Sequence, residues 1–255
     1  MDSRFEIRDS KLKRNLESRI SNLESIMSIS LCWLTQTAAD VPDKDEWLSE
    51  GERGLLAGMR FPKRRGEWRL GRWTGKQAIR AFLLKEGLVL PSLEIRAAAD
   101  GAPEAFLDGC PRNVSISISH SGDRGFCVVG PPDFPVGCDL EMVEPREEPF
   151  VADYFTPEER SFTEQLRSAE QTLAVNLIWS AKETALKILR EGLRRDTRSV
   201  LVQADFRVEE GLWSTWTARC LESSRVVHGW WRSAKGFVYT LASDRQSSAP
   251  DRLLM

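Results

Sequence analysis

A chain of 255 residues, 41% hydrophobic and 29% charged, carries enough apolar side chain for one large core or two smaller ones. Its formal net charge of -2 excludes a chain-wide attraction for nucleic acid, so any charge argument is regional. Five scattered cysteines with no CxxC pair, and no apolar run near the roughly 20 residues of a membrane span, argue against a disulfide framework, a zinc site and a membrane helix. They point to a reducing cytoplasm.

In residues 1–28, Leu12, Leu16, Ile20, Leu23 and Met27 recur at roughly helical spacing among charged residues, as an amphipathic helix or a loosely packed extension. A first strand follows over 28–34. Residues 46–86 are helical in pattern, interrupted at Phe61-Pro62, where the proline must start a helix or sit in a turn. Inside that stretch Arg65, Arg69, Arg72, Lys76 and Arg80 fall on one helical face with Glu67 the sole acid. Such a stripe serves phosphate or is simply solvated.

Residues 114–119 alternate apolar and small polar, the period-two mark of a half-buried strand, and close on Ser119-His120-Ser121-Gly122. A second strand is predicted over 126–129. The proline-rich run 131–135 is the clearest break. Another strand covers 136–141. Thr156-Pro157-Glu158-Glu159 combines an N-cap, a proline at the first helical position and a glutamate three residues after the cap. A long helix over 171–190 should end near Gly192, and strands should follow over 200–208, 212–221 and 226–242. The tail after Ser243 reads as disordered. This gives an extension (1–28), two halves (29–133 and 134–243) and a tail (244–255).

Two groups of residues carry chemistry. In the strand 136–141, alternation puts Val136, Cys138 and Leu140 on one face and Gly137, Asp139 and Glu141 on the other. Two carboxylates about 7 Å apart on one face either sit in solvent or are bridged by a hard cation such as magnesium. In the long helix Ser180, Glu183 and Lys187 form a narrow polar stripe on an otherwise apolar cylinder. Glu183 and Lys187 are also spaced for a simple i, i+4 ion pair. Lys182 falls inside the apolar arc and must snorkel outward or pair with a buried acid. His120 is either packed at a strand end or a donor to a bound anion.

In chain order the motifs resemble the Sfp-type 4'-phosphopantetheinyl transferases. The likeness rests on Arg69-x-x-Arg72, Gly101-Ala102-Pro103, Ser117-Ile118-Ser119-His120-Ser121, Val136-Gly137-Cys138-Asp139-Leu140-Glu141, Phe155-Thr156-Pro157-Glu158-Glu159 and Trp179-Ser180-x-Lys182-Glu183-x-x-x-Lys187. It spans about residues 31–242. It implies an α+β (α/β) fold of two similar halves related by a pseudo-twofold axis, with coenzyme A between them. It implies that Asp139, Glu141 and Glu183 hold Mg2+, that Lys187 contacts the pyrophosphate, and that Ser119 and His120 touch the phosphates, with Arg69, Arg72 and Arg53 on the nucleotide. The implied reaction is that of a holo-[acyl-carrier-protein] synthase. The serine of an apo acyl or peptidyl carrier protein attacks coenzyme A, with Glu183 as its base, and 3',5'-adenosine bisphosphate leaves. Fatty-acid, polyketide and nonribosomal-peptide carriers are all open as partners. The chain is expected to be a cytoplasmic monomer that binds neither nucleic acid nor membrane. The competing reading is a catalytically silent carrier-binding module of the same fold, which loss of a metal ligand or of Lys187 would support.

Overall fold

The computed structural model describes residues 30–254 except 85–86, 191–194, 207–208 and 224. The segment expected to be helical over 1–28, the helix end expected at Gly192 and the strand end expected at Val208 lie outside the described residues.

The first half begins with strand β1 (Cys32–Thr37) and helices α1 (Glu50–Ala57) and α2 (Pro62–Phe82). Ser49 and Glu52 cap α1 reciprocally, and Pro62 opens α2 where its missing N–H costs nothing. Three short strands follow, β2 (Leu93–Ala97), β3 (Pro103–Leu107) and β4 (Cys110–Pro111), then β5 (Ser115–Ser121) and β6 (Arg124–Gly130). The sequence reading passed over β2 to β4, although Asp108-Gly109, both at positive φ (53° and 76°), is a strong two-residue hairpin signal.

The second half runs β7 (Val136–Met142), α3 (Glu148–Tyr154), α4 (Pro157–Glu164), α5 (Ser168–Ile188), β8 (Val200–Ala204), β9 (Ser214–Cys220), β10 (Val226–Ala234) and β11 (Phe237–Ser243). As the motif at Thr156 predicts, its hydroxyl accepts from the Glu159 amide while the Glu159 carboxylate accepts from the Thr156 amide.

The fold is α+β. With a last short strand, β12 (Asp251–Arg252), one sheet has the order β12-β1-β6-β5, a second β7-β11-β10-β9-β8, and β2-β3-β4 form a third. The halves repeat one plan, because β1-β6-β5 matches β7-β11-β10, β2-β3 matches β8-β9, and α2 and α5 each lie across their own sheet. Leu31, Trp33, Phe126, Cys138, Leu140, Tyr239 and Leu241 form a core that joins the two sheets. Ser117 ties β5 to β7 directly, its hydroxyl accepting from the Cys138 amide at 3.0 Å.

The tail is a correction. Asp251–Arg252 form β12, parallel to β1, and Pro250 is buried. β1 would otherwise be an edge strand with open backbone groups. The Asp251 amide donates to the Leu31 carbonyl and the Leu253 amide to the Trp33 carbonyl, each at 2.9 Å, which closes that edge.

Gly137 sets how closely α5 approaches β7. A Cβ there would lie 2.4 Å from the Thr184 carbonyl oxygen, so a bulkier residue would push the helix off the strand.

Candidate functional site

Alternation in β7 works as the pattern predicts: Val136, Cys138 and Leu140 point into the core between the sheets, and Asp139 and Glu141 take the other face. On α5, whose apolar residues cover β8 to β11, Glu183 and Lys187 are left half-buried beside that face. Lys187 does not form the i, i+4 pair with Glu183. Its ammonium crosses to β7, donating to Asp139 Oδ1 at 2.9 Å and to the Cys138 carbonyl at 2.8 Å.

Asp139 is 5% exposed. Its Oδ1 also accepts from the Ser119 hydroxyl at 2.8 Å, so that hydroxyl is committed to orienting a carboxylate. Asp139 Oδ2 and Glu183 Oε1 are buried with no hydrogen-bond partner. Burial, then the charge of Asp139, push the Glu183 carboxyl up, and Lys187 offsets this only in part. Burial alone would push the Lys187 ammonium down, but Asp139, Cys138 and Glu183 together carry it above its usual value.

Glu141 stands slightly apart. Its Oε2 accepts from Arg146 and its Oε1 from the Trp179 indole, both at 2.9 Å. Burial and Asp139 still push it up to about 7. Among the described residues no three His, Cys, Asp or Glu side chains surround one point. The fit to a divalent cation therefore rests on the two orphaned oxygens of Asp139 and Glu183, hard donors that repel each other and that a cation would satisfy.

A raised carboxyl destabilises the fold where it is ionised. In metal-free buffer the unfolded Glu141 loses its proton near pH 4.5 and the folded one near 7, so stability falls as pH rises through that window. Denaturant midpoints of metal-free protein from pH 4.5 to 7 should show this decline, and Glu141→Gln should make it shallower. An unchanged slope would mean that Glu141 is not the group responsible.

The basic stripe of α2 is a second correction. Lys76 is fully buried, paired with Glu52 and bonded to the carbonyls of Trp47 and Leu90. Arg65 donates to the Leu56 carbonyl. Arg69 is held by Asp45 at 2.8 Å and by the Pro42 and Asp43 carbonyls. Arg53 donates to the Leu48 carbonyl at 2.6 Å. Arg72 lies 3.9 Å from Glu52 and stacks on Trp68, with its Nε buried and unbonded. The helix itself carries only Glu67, but the neighbouring α1 and the loop before it supply Glu52 and Asp45. His120 lies within β5, exposed, and the turn falls one residue later.

A cleft of about 400 Å³ opens between the halves, with a smaller one of about 240 Å³ sharing Ala102, Pro103, Ile116, Val136, Lys187 and Arg190. Its size suits a small-molecule site. Lys187 therefore faces the cleft and the acidic face of β7 together.

Sequence reasoning gave Arg146 and Trp179 no role at the site, and it had the two similar halves only as the resemblance implies them. Trp73-Thr74-Gly75-Lys76-Gln77 on α2 repeats as Trp179-Ser180-Ala181-Lys182-Glu183 on α5, a likeness that aligning the chain with itself would have exposed. The hairpins β5-β6 and β10-β11 share one register, with Ser121 opposite Arg124 and Ala234 opposite Phe237. Counting from those turns, Leu34 and Gln36 of β1 occupy the places of Asp139 and Glu141. Gln77 and Ala81 take those of Glu183 and Lys187. The acidic site is confined to the second half.

Comparison with known proteins gives three findings. The chain is 26% identical over 176 residues, 63% of its own length and 70% of the relative's, to a Synechocystis sp. protein described provisionally as a 4'-phosphopantetheinyl transferase. A crystal structure of a holo-(acyl-carrier-protein) synthase from Bacillus anthracis str. Ames, in complex with CoA (3',5'-ADP), overlaps 40% of this chain and 96% of that one at 20% identity, with a TM-score of 0.35. Residues 135–241, the stretch that holds Asp139, Glu141, Glu183 and Lys187, match the family model of the ACPS 4'-phosphopantetheinyl transferase superfamily.

Proposed function

We propose that the protein transfers 4'-phosphopantetheine from coenzyme A to a serine of an apo carrier protein, as Sfp-type enzymes do. One observation carries this reading: within the stretch matched by the family model, Lys187 at the cleft reaches across from α5 to Asp139 on β7 while Asp139 Oδ2 and Glu183 Oε1 stay buried and unsatisfied. A silent binding module has no use for two buried, unpaired acceptors beside a cation.

Asp139 and Glu183 would hold Mg2+, with Glu141 as the third ligand and Arg146 and Trp179 behind it. When bound, the ion would neutralise charge on the pyrophosphate of coenzyme A. Lys187, fixed by Asp139 and the Cys138 carbonyl, presents its positive charge to the cleft where that pyrophosphate would lie. The carrier serine Oγ attacks the β-phosphorus, the bond to the leaving 3',5'-adenosine bisphosphate breaks, and the serine proton passes to Glu183. Arg72, His120, and Arg69 and Arg53, whose guanidiniums already bond protein acceptors, remain the proposed phosphate contacts in the first half, and the two halves divide at 133/134. Among the described residues no helix is long and apolar enough to cross a membrane. The proposal places the enzyme in the cytoplasm as a monomer.

The test is intact mass spectrometry of apo carrier proteins of fatty-acid, polyketide and nonribosomal-peptide type, incubated with the protein, coenzyme A and Mg2+. A phosphopantetheine adduct on at least one of them is the expected result. Coenzyme A binding without an adduct on any would favour the silent module.

A further inference from the structure

The acidic residue that takes up Lys182 is Glu159, and the contact is more than a pair. The Lys182 ammonium meets Glu159 Oε2 at 2.8 Å, the Thr197 carbonyl at 2.8 Å and the Val200 carbonyl at 2.5 Å. Glu159 Oε2 also accepts from the Thr156 amide at 2.8 Å, and Oε1 from the Val202 amide at 2.7 Å. Both side chains are essentially inaccessible. One buried knot thus joins the start of α4, the middle of α5, the turn at Thr197–Ser199 and strand β8.

The first half contains the same knot. Lys76 meets Glu52 and the carbonyls of Trp47 and Leu90, while Glu52 accepts from the Ser49 and Ile95 amides, each at 3.0 Å. Both copies tie a capped helix, a long helix and the first strand after it. They differ in the neighbouring residue, which is Glu183 after Lys182 and Gln77 after Lys76.

We propose that Lys182 and Glu159 are positioning residues that fix the rotation of α5 so that Glu183 and Lys187 face β7. The apolar side chains of α5, Leu177, Ile178, Leu186 and Ile188 among them, seat it on its sheet, and Ile188 also meets Gly137. Next to Glu183, however, Ala181 and Ala185 have little shape to lock, and the directional contact there is the Lys182 knot. A change of one residue in helical phase turns the helix by about 100°, so a much smaller rotation already removes Glu183 from Asp139. The Lys182 ammonium, one position before Glu183 and held by three acceptors, resists it. This rests on the transferase reading of the site.

The duplicate supplies the control. Lys182→Met and Lys76→Met remove the same bonds from equally buried knots, so both should lower thermal stability by similar amounts. The diagnostic readout is the Mg2+ concentration giving half-maximal transfer, because Arg72 borders Glu52 and the first-half variant is free to alter coenzyme A affinity. Supporting residues around a metal site typically tune its affinity 10- to 100-fold. Lys182→Met should raise the half-saturating Mg2+ about 10-fold, with Lys76→Met leaving it within about 2-fold and Lys182→Arg recovering part of the loss. Equal shifts in both, or none in Lys182→Met, overturn the proposal. Should either methionine variant fail to fold, Glu159→Gln against Glu52→Gln decides by the same criterion. A wild-type protein that transfers nothing would instead overturn the transferase reading.

Discussion

Glu183→Gln should reduce transfer to an apo carrier about 1000-fold, the scale of losing a group that stabilises charge in the reacting state, without lowering stability. Glutamine keeps the shape of the side chain but binds a divalent cation poorly and accepts no proton. In the metal-free protein the wild-type carboxylate is an expense to the fold, since Glu183 Oε1 is buried without a partner and Asp139 repels it. Its raised pKa means that the penalty grows as pH rises from the unfolded value through the folded one. At pH 7 Glu183→Gln should therefore melt at or slightly above the wild-type temperature. Retained transfer would remove Glu183 from the mechanism. A variant that lost transfer only because it unfolded would make Glu183 a structural residue.

Lys187→Met should give the opposite pattern, losing both activity and stability. Its ammonium is the counter-charge of a carboxylate whose side chain is 7% exposed, and removing one partner of such a pair leaves an uncompensated buried charge. About 3 kcal/mol is expected, the lower end for a buried pair because Lys187 itself is 30% exposed. In a chain of this size that is a drop on the order of 6–12 °C in melting temperature. Asp139→Asn combined with Lys187→Met should recover most of the stability and none of the transfer, because no charge is then left unpaired. The sign of the pH effect is fixed by the raised pKa of Lys187. Its contribution is complete below about 10.5, the ordinary lysine value, and disappears as pH rises through the higher folded value. A single Lys187→Met variant as stable as wild type would show that the 2.9 Å contact to Asp139 contributes nothing.

The contrast separates two roles within one stripe of α5. Glu183 costs stability and serves the reaction, whereas Lys187 serves both. Lys182, one residue before Glu183, is wholly internal. Two successive turns of one helix thus carry a buried anchor, an unsatisfied carboxylate and a cation shared between helix and strand.

What the sequence determined by itself is the local part of this arrangement. The period of two in 136–141 dictated that Asp139 and Glu141 share a face, because strand geometry leaves no other choice. The cap at Thr156, the start of α2 at Pro62 and the polar stripe of Ser180, Glu183 and Lys187 were legible for the same reason, each depending on neighbours within one turn or strand. Tertiary structure decided the partners. Lys187 could reach Glu183 on its own helix or Asp139 on another element, and the packing of α5 against Gly137 selected Asp139. The basic stripe of α2 was real as a spacing, but Glu52 and Asp45 come from outside the helix, and helical periodicity carries no information about them. The tail found order only because β1 offered an open edge, and that edge exists only once the sheet has formed. The duplicated knot lay between these extremes: its residues were visible in the sequence, but the bonds that make it one device depend on β2 and β8 folding back over the helix starts.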